Sequence, residues 1–274
     1  MLILAATPIG NLSDASPRLV EHLVGSKFIA AEDTRTLFKL AQALGIKINA
    51  RLFSLHDHNE RERLEQLVEV ARDNDLLLVS DAGMPTVSDP GFNLVRACAE
   101  AGVEVTIVPG PSAVLCALAV SGLPTDRFTF EGFMPRKDGE RRTLFEELLR
   151  ERRTMIFFES PHRLLESLEA AAEVFGADRK ASISRELTKK FEHTERATLA
   201  ELVDWAKSEP KGEFVVVIAG ASAPVRKVEE LVEDVLVLVA SGERLKDAVN
   251  QIAELSKVSK SALYQLSLDA RKDN

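Results

Sequence analysis

Short apolar runs alternate along the chain with longer stretches in which apolar residues recur every three or four positions. The runs ILAA (3–6), FIAAED (28–33), IKINARLFSL (46–55), LLLVSD (76–81) and VEVTIV (103–108) read as strands. The stretches between them read as helices. SPRLVEHLVG has Ser16 to cap and Pro17 for the first turn, and TRTLFKLAQALG stops at Gly45. NERERLEQLVEVARDN opens on an Asn59-x-x-Glu62 capping pair, and DPGFNLVRACAEAG on Asp89 and Pro90. PGPSAVLCALAVSG follows the fifth strand. Five strands alternating with helices in about 120 residues predict a mostly parallel sheet with helices on both faces.

SGLPTD (121–126) reads as a boundary. Beyond it come RFTFEGF (127–133), a charged helix near 138–151, TMIFFES (154–160), the helical SPHRLLESLEAAAEVFG, KASISREL (180–187) and EFVVVIAG (213–220). This half is also α/β, with FTFEGF and EFVVVI as fairly exposed candidates for mixed pairing. From about 224 only helical patterns remain: EELVEDVLVLVASG, LKDAVNQIAELSK and KSALYQLSLDA. AELSKVSKSALYQL resembles a helix-turn-helix; a helical appendage packed on the body is the plain alternative. The expected division is 1–122, a parallel-sheet α/β domain; 123–222, a mixed-sheet α/β domain; and 223–274, a helical extension.

Composition narrows the class. The 274 residues are 45% hydrophobic and 28% charged, which suits a soluble globular protein. No apolar run approaches the roughly 18 residues that span a bilayer, and MLILAATPIGNL reads as a first strand rather than a signal peptide. Cys98 and Cys116 lie in apolar helical stretches without metal-ligand spacing, so free thiols in a reducing, cytoplasmic setting are expected. The net charge of -8 argues against loose, charge-driven nucleic-acid binding but leaves room for a structured RNA met by one basic face. The helical tail supplies no such face, with eight Lys/Arg against nine Asp/Glu.

The candidate chemistry gathers at the predicted strand ends, where open α/β sheets bind ligands. These read TPIGN (7–11), AEDTR (31–35), HDHNE (56–60), SDAGMPTVSDPG (80–91) and PGPSA (109–113). Each alone is ordinary turn chemistry; five on one edge predict a binding cleft. There is no G-x-G-x-x-G and no P-loop. PGPSA opens a helix whose N–H groups suit an anion such as a carboxylate. Met84 stands mid-turn, either lining an adenine or thioether pocket or packing under the loop. HDHNE fits proton transfer or substrate binding better than metal, since the cluster has no distant partners. Asp33 and Arg35 can simply pair with each other, FFESPHR (157–163) repeats the pattern of the first half's strand ends, and RELTKK (185–190) is a charged face or a second set of site residues.

Taken in order, TPIGNL-x-D-x-S-PR (7–18), AEDTR, HDHNE, SDAGMPTVSDPG, PGPSA, SGLP (121–124), FEGFMPRK (130–137), FFESPHRL (157–164), RELTKKFE (185–192) and KGEFVVVI (211–218) resemble the ribosomal RNA small subunit methyltransferase I family. The resemblance runs almost continuously over about residues 1–220, and the tail resembles that family's C-terminal extension. It implies a tetrapyrrole-methylase fold: two α/β domains with S-adenosylmethionine in the cleft between them, in a homodimer. The implied reaction is methylation of the ribose 2′-oxygen of a cytidine in the decoding region of 16S rRNA, on the assembled small subunit. One departure is Met84, where the family is expected to carry Thr. Carried over by motif, the resemblance implies cofactor contacts at Pro8, Asp81, Met84, Ser112 and Ala113 from the first domain and at Phe158, Glu159, Glu213 and Phe214 from the second.

A ribose hydroxyl is a poor nucleophile at neutral pH, so a proton acceptor is expected. His58, Asp33 and Lys189 are the candidates, with Arg35 and Arg163 as grips on phosphate. Residues 134–190 carry thirteen Lys/Arg against eleven Asp/Glu, concentrated in MPRKDGERR and RERRT, which predicts a local basic rim. Two rivals stay open. A tetrapyrrole methyltransferase would share fold and cofactor, but HDHNE, FFESPHR and RELTKK resemble the rRNA branch. An RNA-binding assembly factor is suggested by the helical tail and would bind no S-adenosylmethionine.

Overall fold

Successive residues of the first strand face opposite ways: Leu2 and Leu4 join one apolar cluster, Ile3 and Ala5 another. That period of two, repeated by Leu76/Leu78 against Leu77/Val79, marks a sheet buried on both faces. The computed structural model describes residues 1–56, 58–208, 211–222, 228–256 and 258–271. The first sheet holds β1 (Leu2–Ala5), β2 (Phe28–Ala31), β3 (Arg51–Ser54), β4 (Leu76–Val79) and β5 (Val105–Val108), all parallel, in the order β3-β2-β4-β1-β5. Helices α1 (Pro17–Gly25) and α2 (Thr34–Ala43) cover one face through Leu19, Leu23 and Leu37. Helices α3 (Glu60–Asp73) and α4 (Phe92–Glu100) cover the other through Leu67, Ala71, Leu94 and Cys98. The chain leaves β1 toward β2 and leaves β4 toward β5, in opposite directions, so the strand order reverses between β1 and β4.

The next helix, α5 (Ala113–Val120), follows the first sheet but packs elsewhere. Its Val114, Ala117 and Leu118 lie against Ile156, Val215 and Val217 of the second sheet. That sheet holds β6 (Phe128–Phe133), β7 (Thr154–Glu159), β8 (Lys180–Arg185), β9 (His193–Thr198) and β10 (Phe214–Ile218), in the order β6-β7-β10-β8-β9. Only β6 and β7 run parallel; the other pairs are antiparallel. Its far face packs on α6 (Asp138–Glu147), α7 (Leu164–Phe175) and α8 (Leu199–Ala206) around Phe145, Phe157, Leu168 and Leu202. Residues 1–220 form one unit and 221–274 another. The second unit is α9 (Val232–Ala240), α10 (Leu245–Ser256) and α11 (Lys260–Ala270) around Leu231, Val235, Val249 and Leu263. Lys257, between the two helices read as a helix-turn-helix, lies outside the described residues.

Several local expectations change. EFVVVI is not an exposed strand: β10 is fully buried at the centre of its sheet, whereas FTFEGF, as β6, does take an edge. β9, HTERAT, has no apolar alternation to mark it because it is a polar edge strand. Asp89 and Pro90 do not open α4; its cap is Gly91, at φ 117°. The Asn59–Glu62 pair forms no capping box, since Asn59 makes no side-chain cap at α3. Glu60 works instead. Only 5% exposed, it accepts from the backbone N–H groups of Gly91 (3.1 Å), Asn93 (3.0 Å) and Leu94 (3.3 Å), and from Asn93 Nδ2 (2.9 Å). A carboxylate from α3 thus satisfies the bare N-terminus of α4.

Glu60→Ala leaves those donors buried without a partner and is expected to lower the unfolding free energy by about 3 kcal/mol in urea denaturation. Glu60→Gln, which keeps an acceptor oxygen, is expected to lose less.

Candidate functional site

At the reversal between β1 and β4 the two following loops are joined. Thr7 N–H donates to Gly83 O (2.9 Å) and Gly83 N–H returns to Thr7 O (3.1 Å). Thr7 Oγ1 donates to Ser80 O and Ser80 Oγ to Gly83 O, which closes the turn further. Gly83 sits at φ 81°, where a Cβ would also stand 3.3 Å from Ile9 Cγ2. Thr86 and Ser88 take φ of 76° and 63°, strained values for non-glycine residues, in the same loop. Gly110 is pressed against Ala6, with 2.9 Å between a built Cβ and Ala6 Cβ.

These loops form one wall of a cleft of about 430 Å³ between the two sheets. Ile9, Asp81, Ala82 and Ala113 line it from the first half. Phe133, Phe158, Leu187 and Phe214 line it from the second, with Glu159 and Glu213. Phe158 is held edge-on by Phe130 (4.9 Å between centroids) and Phe133 (5.3 Å), a rigid aromatic wall. Of the residues carried over by motif, Asp81, Ala113, Phe158, Glu159, Glu213 and Phe214 therefore share one cavity. Met84 and Ser112 line a smaller recess of about 70 Å³ that has Ile9, Ala82, Ala113 and Phe158 in common with it. Pro8 lines neither, although it lies between Thr7 and Ile9.

A second, polar groove of about 510 Å³ adjoins the cleft and shares Glu32 and Asp81 with it. Asp33, Thr34, Arg35, Ser54 and His56 complete it. Loss of water contact raises the Asp81 carboxyl pKa, despite a hydrogen bond from Asp33 N–H (3.1 Å). Asp81 N–H in turn donates to Glu32 Oε2. Asp33 caps α2 through Arg35 N–H (2.8 Å) and also takes a fork from Arg35 Nε and Nη2. The Arg35 guanidinium, then its N–H, pull the Asp33 pKa down to about 2. A carboxylate so held is a weak base.

Lys189 is equally committed. It donates to Glu186 Oε1 and Glu213 Oε2, both at 2.9 Å. Burial alone would pull its pKa down, but the two carboxylates outweigh it and hold the ammonium above its ordinary value. Arg163 pairs with the buried Glu159 (2.8 Å) and donates to Ser160 Oγ; Ser167 and Ser160 N–H complete the Glu159 carboxylate. The Glu159 side chain thus orients Arg163. His58 does not line the groove, whereas His56 does. Their rings stand edge-on at 6.0 Å. Asp57 lies outside the described residues, and among those described no three His, Cys, Asp or Glu gather to hold a metal. The predicted basic rim is largely neutralised where it stands: Arg141 and Arg142 pair with Asp138, Lys137 with Glu140 and Arg153 with Glu151.

Ile9, Glu32, His56 and Leu187 were not singled out from sequence, although all lie in motifs quoted for the resemblance. Motif position marks a loop; which of its side chains turns inward depends on backbone that only the fold supplies.

Comparison with known proteins fits this geometry. The family model of tetrapyrrole (corrin/porphyrin) methylases matches residues 1–203. A ribosomal RNA small subunit methyltransferase I of Mycobacterium tuberculosis (strain CDC 1551 / Oshkosh) is 48% identical over 99% of this chain and 96% of its own. The protein of the same name from Escherichia coli O157:H7 is 44% identical over 98% and 94%. Among solved structures, the methyltransferase CobJ superposes with a TM-score of 0.58 at 20% identity, over 80% of this chain and 94% of that one, a likeness of fold.

Replacing Arg35 with Gln is expected to return the Asp33 carboxyl toward its ordinary value of 3.8. Because the folded pKa is depressed from 3.8 to about 2, the Asp33 contribution to stability is present above pH 4 and lost as pH falls toward 2. Carboxyl carbon NMR titration of wild type and variant checks both.

Proposed function

The chain belongs to the tetrapyrrole methylase family, among the ribosomal RNA small subunit methyltransferases I, and from that premise we propose that it carries a methyl group from S-adenosylmethionine to the ribose 2′-oxygen of a cytidine in the decoding region of 16S rRNA, on the assembled small subunit. The observation that supports this reading best is the junction of an aromatic cleft with a polar groove through Glu32 and Asp81. A methyl donor and a nucleotide held in adjoining cavities meet at their shared wall.

The cleft suits the donor. Its volume of about 430 Å³ lies in the range of small-ligand sites, and its mixture of aromatic and acidic lining suits a molecule with an aromatic base and cationic groups. When bound, S-adenosylmethionine supplies an electrophilic methyl group on a sulfonium. Phe158, Phe133 and Phe214 would pack the base and exclude water. Asp81 and Glu213 would face the cationic groups, and Ala113 with Ser112 at the start of α5 the carboxylate. The tied loops of Thr7 and Gly83 would hold this wall in place so that the acceptor oxygen is presented in line. Arg35, 85% exposed at its side chain, would reach a flanking phosphate while keeping its fork on Asp33.

The same reading includes a homodimer in the cytoplasm. In support, α5 is apolar on nearly every side, its Leu115 and Val120 stay exposed, and so does Ile107 on the edge strand β5. No described helix is long and apolar enough to cross a membrane. The bulk acidity fits recognition of a ribosomal particle by shape better than capture of loose RNA.

Radiolabelled S-adenosylmethionine is offered with small subunits lacking the modification and with the same 16S rRNA stripped of protein. Label is expected on a single 2′-O-methylcytidine, in the particle only; no label on either substrate would overturn the assignment. Phe158→Ala is expected to weaken cofactor binding about tenfold or more by calorimetry.

A further inference from the structure

We propose that His56 is the proton acceptor for the ribose hydroxyl and that Asn59 is the residue that positions it; this rests on the polar groove being the nucleoside site of the reaction proposed above. His56 lines that groove together with Asp81, the side chain that also faces the methyl-donor cleft. Two of the candidate bases named from sequence are engaged in ion pairs. Arg35 holds Asp33 as a weak base, and Glu186 and Glu213 hold Lys189 protonated. Neither ring nitrogen of His56 makes a hydrogen bond to a described residue, and its aromatic neighbour is His58. An imidazole is the side chain best matched to proton transfer near neutral pH.

The backbone around it is fixed as a general base requires. His56 N–H donates to Asn59 Oδ1 (2.9 Å), and His56 O accepts from the N–H of Asn59 (2.9 Å) and Glu60 (3.0 Å). Asn59 Nδ2 donates to Ser54 O (3.1 Å), and Leu55 N–H to Ala31 O (2.8 Å). The Asn side chain that a capping signature would turn onto α3 is turned back onto the loop carrying His56. Glu60, by its grip on α4, anchors the far end of the same turn. In the step, the 2′-oxygen forms its bond to the methyl carbon while the O–H bond breaks. The proton passes to the free lone pair of the His56 ring, and the carbon–sulfur electron pair leaves with the thioether.

The test uses the full-length protein and small subunits. His56→Ala is expected to lower kcat by about a hundredfold or more, with KM for subunits and cofactor affinity by calorimetry within about threefold. Added imidazole is expected to restore part of the rate, which a structural role would not allow. Asn59→Ala is expected to cost about tenfold in kcat with the same unchanged affinities, and His58→Ala to stay within about threefold. Wild-type kcat in His56→Ala, or a loss shared with cofactor affinity and not answered by imidazole, overturns the proposal. Ring-proton NMR separates it from the parent reading: a cytidine-containing oligoribonucleotide with S-adenosylhomocysteine should shift His56 more than His58, whether or not subunits are methylated. Equal or absent shifts reject the groove as the nucleoside site.

Discussion

Two backbone hydrogen bonds between Thr7 and Gly83 hold together the place where everything else meets. The loops after β1 and β4 leave the sheet where its strand order reverses, and without a tie they would diverge. The bridge requires Gly83 in the left-handed region and carries Thr86 and Ser88 into it as well. Such strain persists only where surroundings fix it, here the packing of Gly91 under Leu78 and of Gly110 on Ala6. The result is a rim whose backbone course is held by hydrogen bonds and close packing.

The opposite rim answers with the same devices. Glu186 and Thr188 also take positive φ, and the turn they form is closed by the Lys189 ion pairs. Thr188 Oγ1 accepts from Asn11 N–H (3.1 Å), so the turn of the second half touches the first loop of the first half. Gly10 allows this approach: a built Cβ there falls 2.4 Å from Lys189 Cγ. Charge in this region is thus largely structural. The ion pairs that fix Asp33 and Lys189 also make them poor bases.

What the sequence discloses is what short-range periodicity encodes. Short continuous apolar runs located β1 and β4, and a three-to-four-residue apolar period located the helices that cover them. The site motifs were legible as a set, since Gly, Pro, Ser and Asp at five strand ends on one edge demand an account. Long-range choices were not. Nothing near Glu60 announces that it caps a helix thirty residues on, and Asn59 carries a capping signature it does not use. β9 is hidden by its polar edge, although the Thr198–Glu201 capping box of α8 just after it was there to be read. The basic stretches of 134–153 promised a surface field, yet Lys137, Arg141 and Arg142 meet carboxylates three or four residues away and Arg153 meets one two residues away.

The placement of α5 bears on how such a chain is made. It is translated as the last element of the first half, but its buried face belongs to strands translated about forty to a hundred residues later. During synthesis the first sheet can close while α5, apolar on nearly every side, still waits for β7 and β10. Cutting the chain at 121–126 would give two fragments, one with a bare greasy helix and one with an uncovered sheet face. The two halves are therefore one cooperative body whose seam runs through a helix rather than through a linker.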